Sequence, residues 1–125
     1  MSEIVLIRGV PGSGKTTTAK REFPKHVHFE ADMFFMKDGN YCYDAKFIKE
    51  AHKWCQQQVR EAVEQGKNIA VSNTFIKVWE MNPYFGMNVP VRVVEATGNY
   101  DNIHNVSKET VQKMKERFEA YRVAA

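Results

Sequence analysis

With 125 residues, the chain has the length of one domain, and we expect residues 1–125 to fold as a single unit. Its hydrophobic fraction of 43% and charged fraction of 26% are ordinary for a globular protein. The sequence has no run of about 20 apolar residues, which excludes a transmembrane helix. Residues 1–3 do not resemble a signal peptide, and Cys42 and Cys55 are too few for a disulfide framework, so we expect a cytoplasmic protein with reduced thiols. The net charge of +3 permits a nucleic-acid partner without requiring one.

A phosphate-binding loop lies near the start of the chain. Residues 9–16 read Gly-Val-Pro-Gly-Ser-Gly-Lys-Thr, which matches the whole pattern G-x-x-x-x-G-K-[ST]. The apolar residues 4–7 before it predict a buried parallel strand, and residues 15–23 after it predict a helix that stops at Pro24. Strand, glycine loop and helix are the order that this motif needs, so we predict that the chain binds a nucleoside triphosphate.

The residue types in this loop suit a bound triphosphate and a metal ion. Glycines let backbone N–H groups turn inward around an anion, and the positive end of the helix dipole adds to the attraction. We expect Lys15 to reach the β- and γ-phosphates and the Thr16 hydroxyl to bind Mg²⁺. The candidate ATP-binding residues are consecutive: Gly9, Val10, Pro11, Gly12, Ser13, Gly14, Lys15, Thr16 and Thr17.

Strands and helices alternate along the rest of the chain, which is typical of a parallel sheet covered by helices. Further strands are predicted over residues 26–30, 68–73 and 91–96. We therefore predict an α/β protein with a minimal doubly wound fold, in which a four-stranded parallel sheet is sandwiched by helices.

Three further helices are predicted from spacing and capping residues. A long helix should run from about residue 45 to residue 65, between an Asp44 cap and a Gly66 stop. A short helix over residues 77–81 is expected to be broken by Pro83, and the last helix should begin at a Ser107 cap.

A carboxylate follows the second predicted strand, at the edge of the sheet where ligands bind in parallel α/β folds. Asp32 at this position could accept the proton of an acceptor hydroxyl while a metal ion and cations hold the γ-phosphate in line. The alternative interpretation is a loop carboxylate that caps the following turn.

Two other groups of residues near this edge have alternative interpretations. Ser72, at the end of the third strand, stands where many P-loop proteins have an aspartate that holds a metal-bound water, so it is a metal candidate or part of a simple turn. Aromatic residues after Asp32 either stack on an acceptor base or pack over the sheet edge; they are Phe34, Phe35, Tyr41 and Tyr43.

Seven segments of the chain occur together, in this order, in one known protein family. They are residues 6–17 (LIRGVPGSGKTT), 30–35 (EADMFF), 38–41 (DGNY), 51–55 (AHKWC), 72–74 (SNT), 79–84 (WEMNPY) and 102–107 (NIHNVS). With these motifs the chain resembles the polynucleotide-kinase-like P-loop kinases, which include small phage-encoded enzymes. The resemblance implies a minimal P-loop kinase fold. It also implies ATP and Mg²⁺ as cofactors, Lys15 and Thr16 as their ligands, and Asp32 as the base that activates the acceptor hydroxyl. A phage origin would place the protein in the host cytoplasm.

The chain departs from the family pattern at two positions. Ser72 replaces the aspartate of a family Asp-Asn-Thr motif, and Asp101 stands where the family's lid has an arginine before Asn-x-His. A lid arginine stabilises charge on the transferring phosphoryl group, so its loss would lower the rate unless Arg8, Arg117 or another cation substitutes.

Three functions are compatible with the sequence. The first is a kinase of a nucleic-acid hydroxyl, either the hydroxymethyl group of a modified pyrimidine in DNA, as in DNA hypermodification, or a 5′-terminal hydroxyl. The second is a kinase of a nucleoside or another small metabolite, and the third is a non-catalytic nucleotide-binding module. We expect DNA rather than RNA as the partner, no membrane partner, and a monomer or weak oligomer. The candidate substrate residues are Phe34, Tyr41, Asn73, Thr74 and His104.

Overall fold

The computed structural model describes residues 2–96 and 107–119, and every structural statement below concerns that part of the chain. The predictions for Asp101 and His104 lie outside the described residues. The strands are β1 (Ile4–Arg8), β2 (Val27–Phe29), β3 (Met36–Lys37), β4 (Asn40–Tyr41), β5 (Ile69–Asn73) and β6 (Val91–Glu95). The α-helices are α1 (Lys15–Glu22), α2 (Ile48–Glu64), α3 (Asn82–Phe85) and α4 (Lys108–Arg117). No helix among these is both long and apolar enough to cross a membrane.

Four parallel strands form the central sheet in the order β2-β5-β1-β6. The strand β1 lies between β5 and β6 and is fully buried, because parallel strands in such sheets are covered on both faces. Its side chains alternate between two cores: Ile4 and Leu6 belong to one, and Val5 and Ile7 to the other. The predicted α/β fold with a four-stranded parallel sheet is confirmed.

Helices cover both faces of this sheet. The long helix α2 buries Ala51, Cys55, Val59 and Ala62, whose spacing places them on one face, in the same core as Ile4. The short helix α1 contributes Ala19 to the opposite core. Because the helices cover the faces of the sheet, the carboxyl ends of its strands remain accessible to a ligand.

Two details of the helices differ from the prediction. The long helix begins with a 3₁₀ turn over Ala45–Phe47, where the Asp44 side chain accepts a hydrogen bond from the Lys46 N–H at 3.0 Å, and α2 follows. The prediction that Pro83 breaks the short helix was wrong. The 3₁₀ turn Val78–Met81 continues into α3 with Pro83 in its first turn, where a missing N–H leaves no hydrogen bond unmade.

Two very short antiparallel strands, β3 and β4, were not predicted from the sequence. Asp38 and Gly39 occupy this turn with positive φ angles of 49° and 81°, which asparagine, aspartate and glycine tolerate best. The resulting hairpin places Tyr41 beside the segment that follows β2.

A buried arginine connects β1 to the end of the chain's described part. Arg8 is fully buried, and its Nε and Nη2 donate to the Phe75 carbonyl at 3.2 and 2.7 Å. Its Nη2 also donates to the Ile76 carbonyl at 3.3 Å, and the guanidinium lies 4.1 Å from the centroid of the Phe118 ring. Phe75 has a positive φ of 46°, so the two bonds to its carbonyl hold a strained turn.

We expect Arg8→Met to lower the free energy of unfolding by about 1–3 kcal/mol, because the Phe75 and Ile76 carbonyls lose a charged donor inside the protein. Urea unfolding followed by circular dichroism measures this change. The control is Arg60→Met at an exposed position of α2. Equal stability of the two variants would contradict the structural role of Arg8.

Candidate active site

A cleft of about 780 Å³ opens where the strands β1, β2 and β5 end. The phosphate-binding loop forms one wall, and the segments that follow β2 and β5 form the floor. Ser107, Thr110 and Met114 on one face of α4 contribute to the lining. Segments that are distant in sequence and were predicted to be functional therefore meet in one cavity.

Glycines shape the phosphate-binding loop. Gly12 and Gly14 have φ angles of 83° and 87°, which side chains other than glycine rarely adopt. A Cβ atom on Gly9 would lie 2.3 Å from the Ser13 Oγ and 2.8 Å from the Ala96 carbonyl oxygen, so this position is closed to larger residues. The loop consequently brings backbone N–H groups to the start of α1, where no side chain caps the helix.

Lys15 lies inside this loop. Its ammonium group donates hydrogen bonds to the carbonyl oxygens of Gly9 at 2.9 Å and Val10 at 3.1 Å. Burial lowers the pKa of Lys15, while the negative charges of Glu30 and Asp32 act in the opposite direction. An anion in the cleft would further favour the charged form of this half-buried lysine, so the loop fits a bound triphosphate.

The predicted ATP-binding residues divide into two groups. Those that line the cleft are Pro11, Gly12, Gly14, Lys15, Thr16 and Thr17. Gly9, Val10 and Ser13 form the body of the loop behind them, and the Ser13 hydroxyl is buried without a hydrogen-bond partner among the described residues.

Glu30 is a cleft residue that sequence reasoning missed. The Thr16 hydroxyl donates to the Glu30 Oε2 at 2.5 Å, so the predicted metal ligand is bonded to a carboxylate. Glu30 directly follows β2, and its place at the sheet edge was the signal that could have identified it. Thr16 and Glu30 together offer the hard oxygen atoms that Mg²⁺ prefers.

Ser72 lies beside Glu30 but is bonded to a histidine. The Ser72 Oγ lies 2.8 Å from the His28 Nε2, and that nitrogen lies 3.5 Å from the Glu30 Oε2. Burial lowers the pKa of His28, with Lys20 acting in the same direction and Glu30 against it. Among the described residues, no group of three or more His, Cys, Asp or Glu side chains is arranged to hold a metal ion by itself.

Asp32 lines the cleft from the 3₁₀ turn Ala31–Phe35, on the same side as Lys15. Its Oδ1 accepts a hydrogen bond from the Tyr41 hydroxyl at 3.0 Å, which fixes the direction of the carboxylate. Burial raises the pKa of Tyr41, and the nearby Asp32 charge raises it further, so this hydroxyl stays a donor. The hairpin that carries Tyr41 therefore positions the proposed base.

Asn73 and Thr74 also line the cleft, but the Asn73 amide has internal partners. Its Oδ1 accepts from the Ala31 N–H at 2.9 Å, and its Nδ2 lies 3.8 Å from the Cys55 sulfur. The Asn73 side chain thus ties β5 to the turn that carries Asp32. Its predicted substrate contact stays a prediction.

We expect Asn73→Ala to lower the free energy of unfolding by about 1–3 kcal/mol, because the buried Ala31 N–H would lose its acceptor. Thermal and urea unfolding measure this change, with Asn40→Ala at an exposed position as the control. An Asn73→Ala variant as stable as the unmodified protein would contradict this structural role of the amide.

The aromatic residues after Asp32 separate into two sets. Tyr41 and Tyr43 line the cleft as a near-parallel pair, with centroids 6.3 Å apart and an interplanar angle of 19°. Phe34 does not line the cleft, which corrects its predicted placement. Its ring packs edge to face against Phe35 and Trp54 and borders a separate depression of about 320 Å³.

The structure also shows which basic side chains line the cleft. Arg8 and Arg117 do not line the cleft, so neither side chain replaces a lid arginine in this arrangement. Lys15 is the one lysine or arginine in the lining formed by the described residues. His52 is half-buried and borders the cleft, and burial lowers its pKa.

A family model described as AAA domain matches residues 4–97, which include the complete phosphate-binding loop and all the segments of the cleft except α4. The chain belongs to the AAA domain family. This AAA domain is 33% identical over 135 aligned positions to NEDD4-binding protein 2 of Homo sapiens. The alignment covers 94% of the chain and 8% of that relative, so the chain spans a small part of the curated protein that it matches.

Solved structures share the fold of this AAA domain. A chain in the structure of the Pnkp1/Rnl/Hen1 RNA repair complex aligns with a TM-score of 0.72 and 15% identity, over 94% of this chain and 44% of that one. A sugar kinase from Janibacter sp. HTCC2649 aligns with a TM-score of 0.58 and 16% identity, over 97% and 70%. At these identities the likeness establishes a P-loop kinase fold, which is a nucleotide-binding fold.

Proposed function

We propose that this AAA domain is an ATP- and Mg²⁺-dependent kinase that transfers the γ-phosphate to a hydroxyl group of nucleic acid. The observation that carries the proposal is that Asp32 and Lys15 line the same cleft, next to the phosphate-binding loop. A P-loop beside an oriented carboxylate is the minimum that phosphoryl transfer to an alcohol needs.

Four side chains of the cleft and the N–H groups of the loop have proposed roles in this reaction. The loop N–H groups and Lys15 would hold the phosphates, and Thr16 would hold the Mg²⁺, which would supply positive charge that neutralises the phosphates. Asp32, directed by Tyr41, would accept the proton of the acceptor hydroxyl while the acceptor oxygen bonds to the γ-phosphorus. The bond between the γ-phosphorus and the bridging oxygen of the β-phosphate breaks in the same step, and ADP leaves. Lys15 stabilises the charge that develops on the transferring group.

The lining of the acceptor side favours a hydroxymethyl group on a pyrimidine base over a 5′-terminal hydroxyl. Tyr41 and Tyr43 offer aromatic faces to a flat ring, and Ile48 adds an apolar wall. A 5′-terminal nucleotide brings a negatively charged phosphodiester close to its hydroxyl, and a cation would be needed to contact it. Lys15 is the one lysine or arginine in the described lining, and it is assigned to the phosphates of ATP. The fold shared with a chain of an RNA repair complex supports a nucleic-acid acceptor.

A kinase of a small molecule is the second candidate. The same aromatic and apolar side chains, Tyr41, Tyr43 and Ile48, would suit a free nucleoside, and the fold is also shared with a sugar kinase. In that case free nucleosides would be phosphorylated at least as fast as DNA. The first proposal requires that DNA is phosphorylated faster than free nucleosides.

Transfer of label from γ-labelled ATP with Mg²⁺ distinguishes these functions. The acceptors are a 5′-hydroxyl oligonucleotide, end-blocked DNA that contains hydroxymethyl-pyrimidine, and free nucleosides, and digestion of the product locates the label. Label on the base supports our first choice, and label on the 5′-end makes the protein a polynucleotide kinase. Label on nucleosides alone supports the second candidate, and ATP binding without any transfer indicates a non-catalytic module.

A further inference from the structure

The hydrogen bond between Thr16 and Glu30 has a direction that matters for a metal ion. A carboxylate can only accept, so the Thr16 hydroxyl donates its proton to the Glu30 Oε2. At 2.5 Å this bond has the length of a charge-assisted O–H···O⁻ contact. The lone pairs of the Thr16 oxygen are then free to face a cation in the cleft.

We propose that Glu30 is the residue that orients Thr16 toward Mg²⁺ and supplies the negative charge that attracts the ion. The inference rests on the proposed function in that it needs ATP and Mg²⁺ at the phosphate-binding loop. It gives Glu30 the part that the sequence assigned to Ser72. Glu30 acts on the metal ion by orienting the Thr16 hydroxyl and by the negative charge of its carboxylate. It is therefore a positioning residue.

Three other oxygen-bearing side chains of the cleft floor, those of Ser72, Asn73 and Asp32, have partners elsewhere. The Ser72 hydroxyl is bonded to His28 and carries no charge, and the Asn73 amide is bonded to Ala31 and Cys55. Asp32 accepts from Tyr41 on the acceptor side. Glu30 is consequently the carboxylate in hydrogen-bond contact with the predicted metal ligand.

The surroundings of Glu30 also keep its carboxylate in place. His28 stands two residues before Glu30 in extended backbone, which places both side chains on the same side of the chain. The His28 Nε2 lies 2.8 Å from the Ser72 Oγ and 3.5 Å from the Glu30 Oε2. Glu30 is mostly buried, with 17% of its side chain exposed, so its charge is screened less by water than that of a surface residue.

Mn²⁺ binding tests the inference without any transfer reaction. In the presence of a non-hydrolysable ATP analogue, free Mn²⁺ is measured by electron paramagnetic resonance for the unmodified protein and for Glu30→Gln. We expect Glu30→Gln to weaken Mn²⁺ binding by about 10–100-fold, the usual loss when a residue that orients a metal ligand is changed. Affinity for the analogue in EDTA should be equal or higher, because a negative charge near the phosphates is removed.

Three other variants complete the experiment. Glu30→Asp keeps the charge and should bind Mn²⁺ more tightly than Glu30→Gln, which makes the result independent of small losses in stability. Glu64→Gln, at an exposed position at the end of α2, should bind Mn²⁺ like the unmodified protein. Ser72→Ala should lose less Mn²⁺ affinity than Glu30→Gln.

The outcomes separate this inference from the proposed function. Unchanged Mn²⁺ affinity in Glu30→Gln, or a larger loss in Ser72→Ala, would overturn the role of Glu30. Unmodified protein that binds Mn²⁺ and the analogue but phosphorylates no acceptor would refute the kinase proposal and leave the role of Glu30 standing. Unmodified protein that binds neither would refute both.

Discussion

Replacement of Lys15 by methionine is expected to lower the rate of phosphoryl transfer by at least about 100-fold, the usual cost of removing one donor that stabilises a transition state. Lys15 lies between the loop carbonyls and the cleft, and no other lysine or arginine of the described residues lines that cavity. Among residues 2–96 and 107–119, no other cation in the lining can therefore take over its charge. Transfer from γ-labelled ATP at saturating ATP measures the effect, with the acceptor that the labelling experiment identifies.

The fold should tolerate this substitution. Methionine keeps most of the aliphatic stem and removes a charge whose burial lowers the pKa of Lys15, so the loss of two hydrogen bonds is partly offset. Lys67→Met, at an exposed position between α2 and β5, is the matched control and should transfer phosphate normally. Normal transfer by Lys15→Met would rule out the proposed part of Lys15.

The phosphate-binding loop and the sheet type could be predicted from sequence because both depend on residues that are close in the chain. Residues 9–16 form a motif of fixed spacing, and residues 4–7 are continuously apolar because β1 is buried on both faces. The cap at Ser107 is equally local: its hydroxyl accepts from the Thr110 N–H at 3.1 Å.

The roles of Glu30 and Asn73 depend instead on which strands are neighbours. Glu30 meets Thr16, 14 residues earlier, and the Asn73 amide meets Ala31, 42 residues earlier. Both contacts require the order β2-β5-β1, which local periodicity does not reveal. The sequence therefore located the edge of the sheet that carries the site but not the side chains that meet there.

The side-chain direction of Phe34 could not be predicted for a different reason. Asp32 and Phe34 lie two residues apart in a 3₁₀ turn, where each residue advances by about a third of a turn. Their side chains point in different directions for that reason, and Asp32 lines the cleft while Phe34 packs against Trp54. The sequence placed the residues after Asp32 in a loop, so this difference in direction was not predictable.

Asp32→Asn is expected to lower phosphoryl transfer by about 100- to 10,000-fold, which is the range of general-base contributions, while ATP binding stays within a few-fold of normal. Asparagine has the shape of aspartate and can still accept from the Tyr41 hydroxyl, so the hairpin and the 3₁₀ turn should keep their places. What is removed is the ability to take the proton of the acceptor. Transfer rates at saturating ATP and acceptor, with calorimetric titration of ATP, measure the two quantities separately.

The control for Asp32→Asn is Asp44→Asn, which changes an exposed carboxylate at the start of α2 and preserves its cap to the Lys46 N–H. We expect Asp44→Asn to transfer phosphate at the normal rate. Undiminished transfer by Asp32→Asn would contradict the role of Asp32 as the base, since no proton acceptor would remain at that position. A loss of ATP affinity equal to the loss of transfer would assign Asp32 to the nucleotide instead, because a base for the acceptor acts only after ATP is bound.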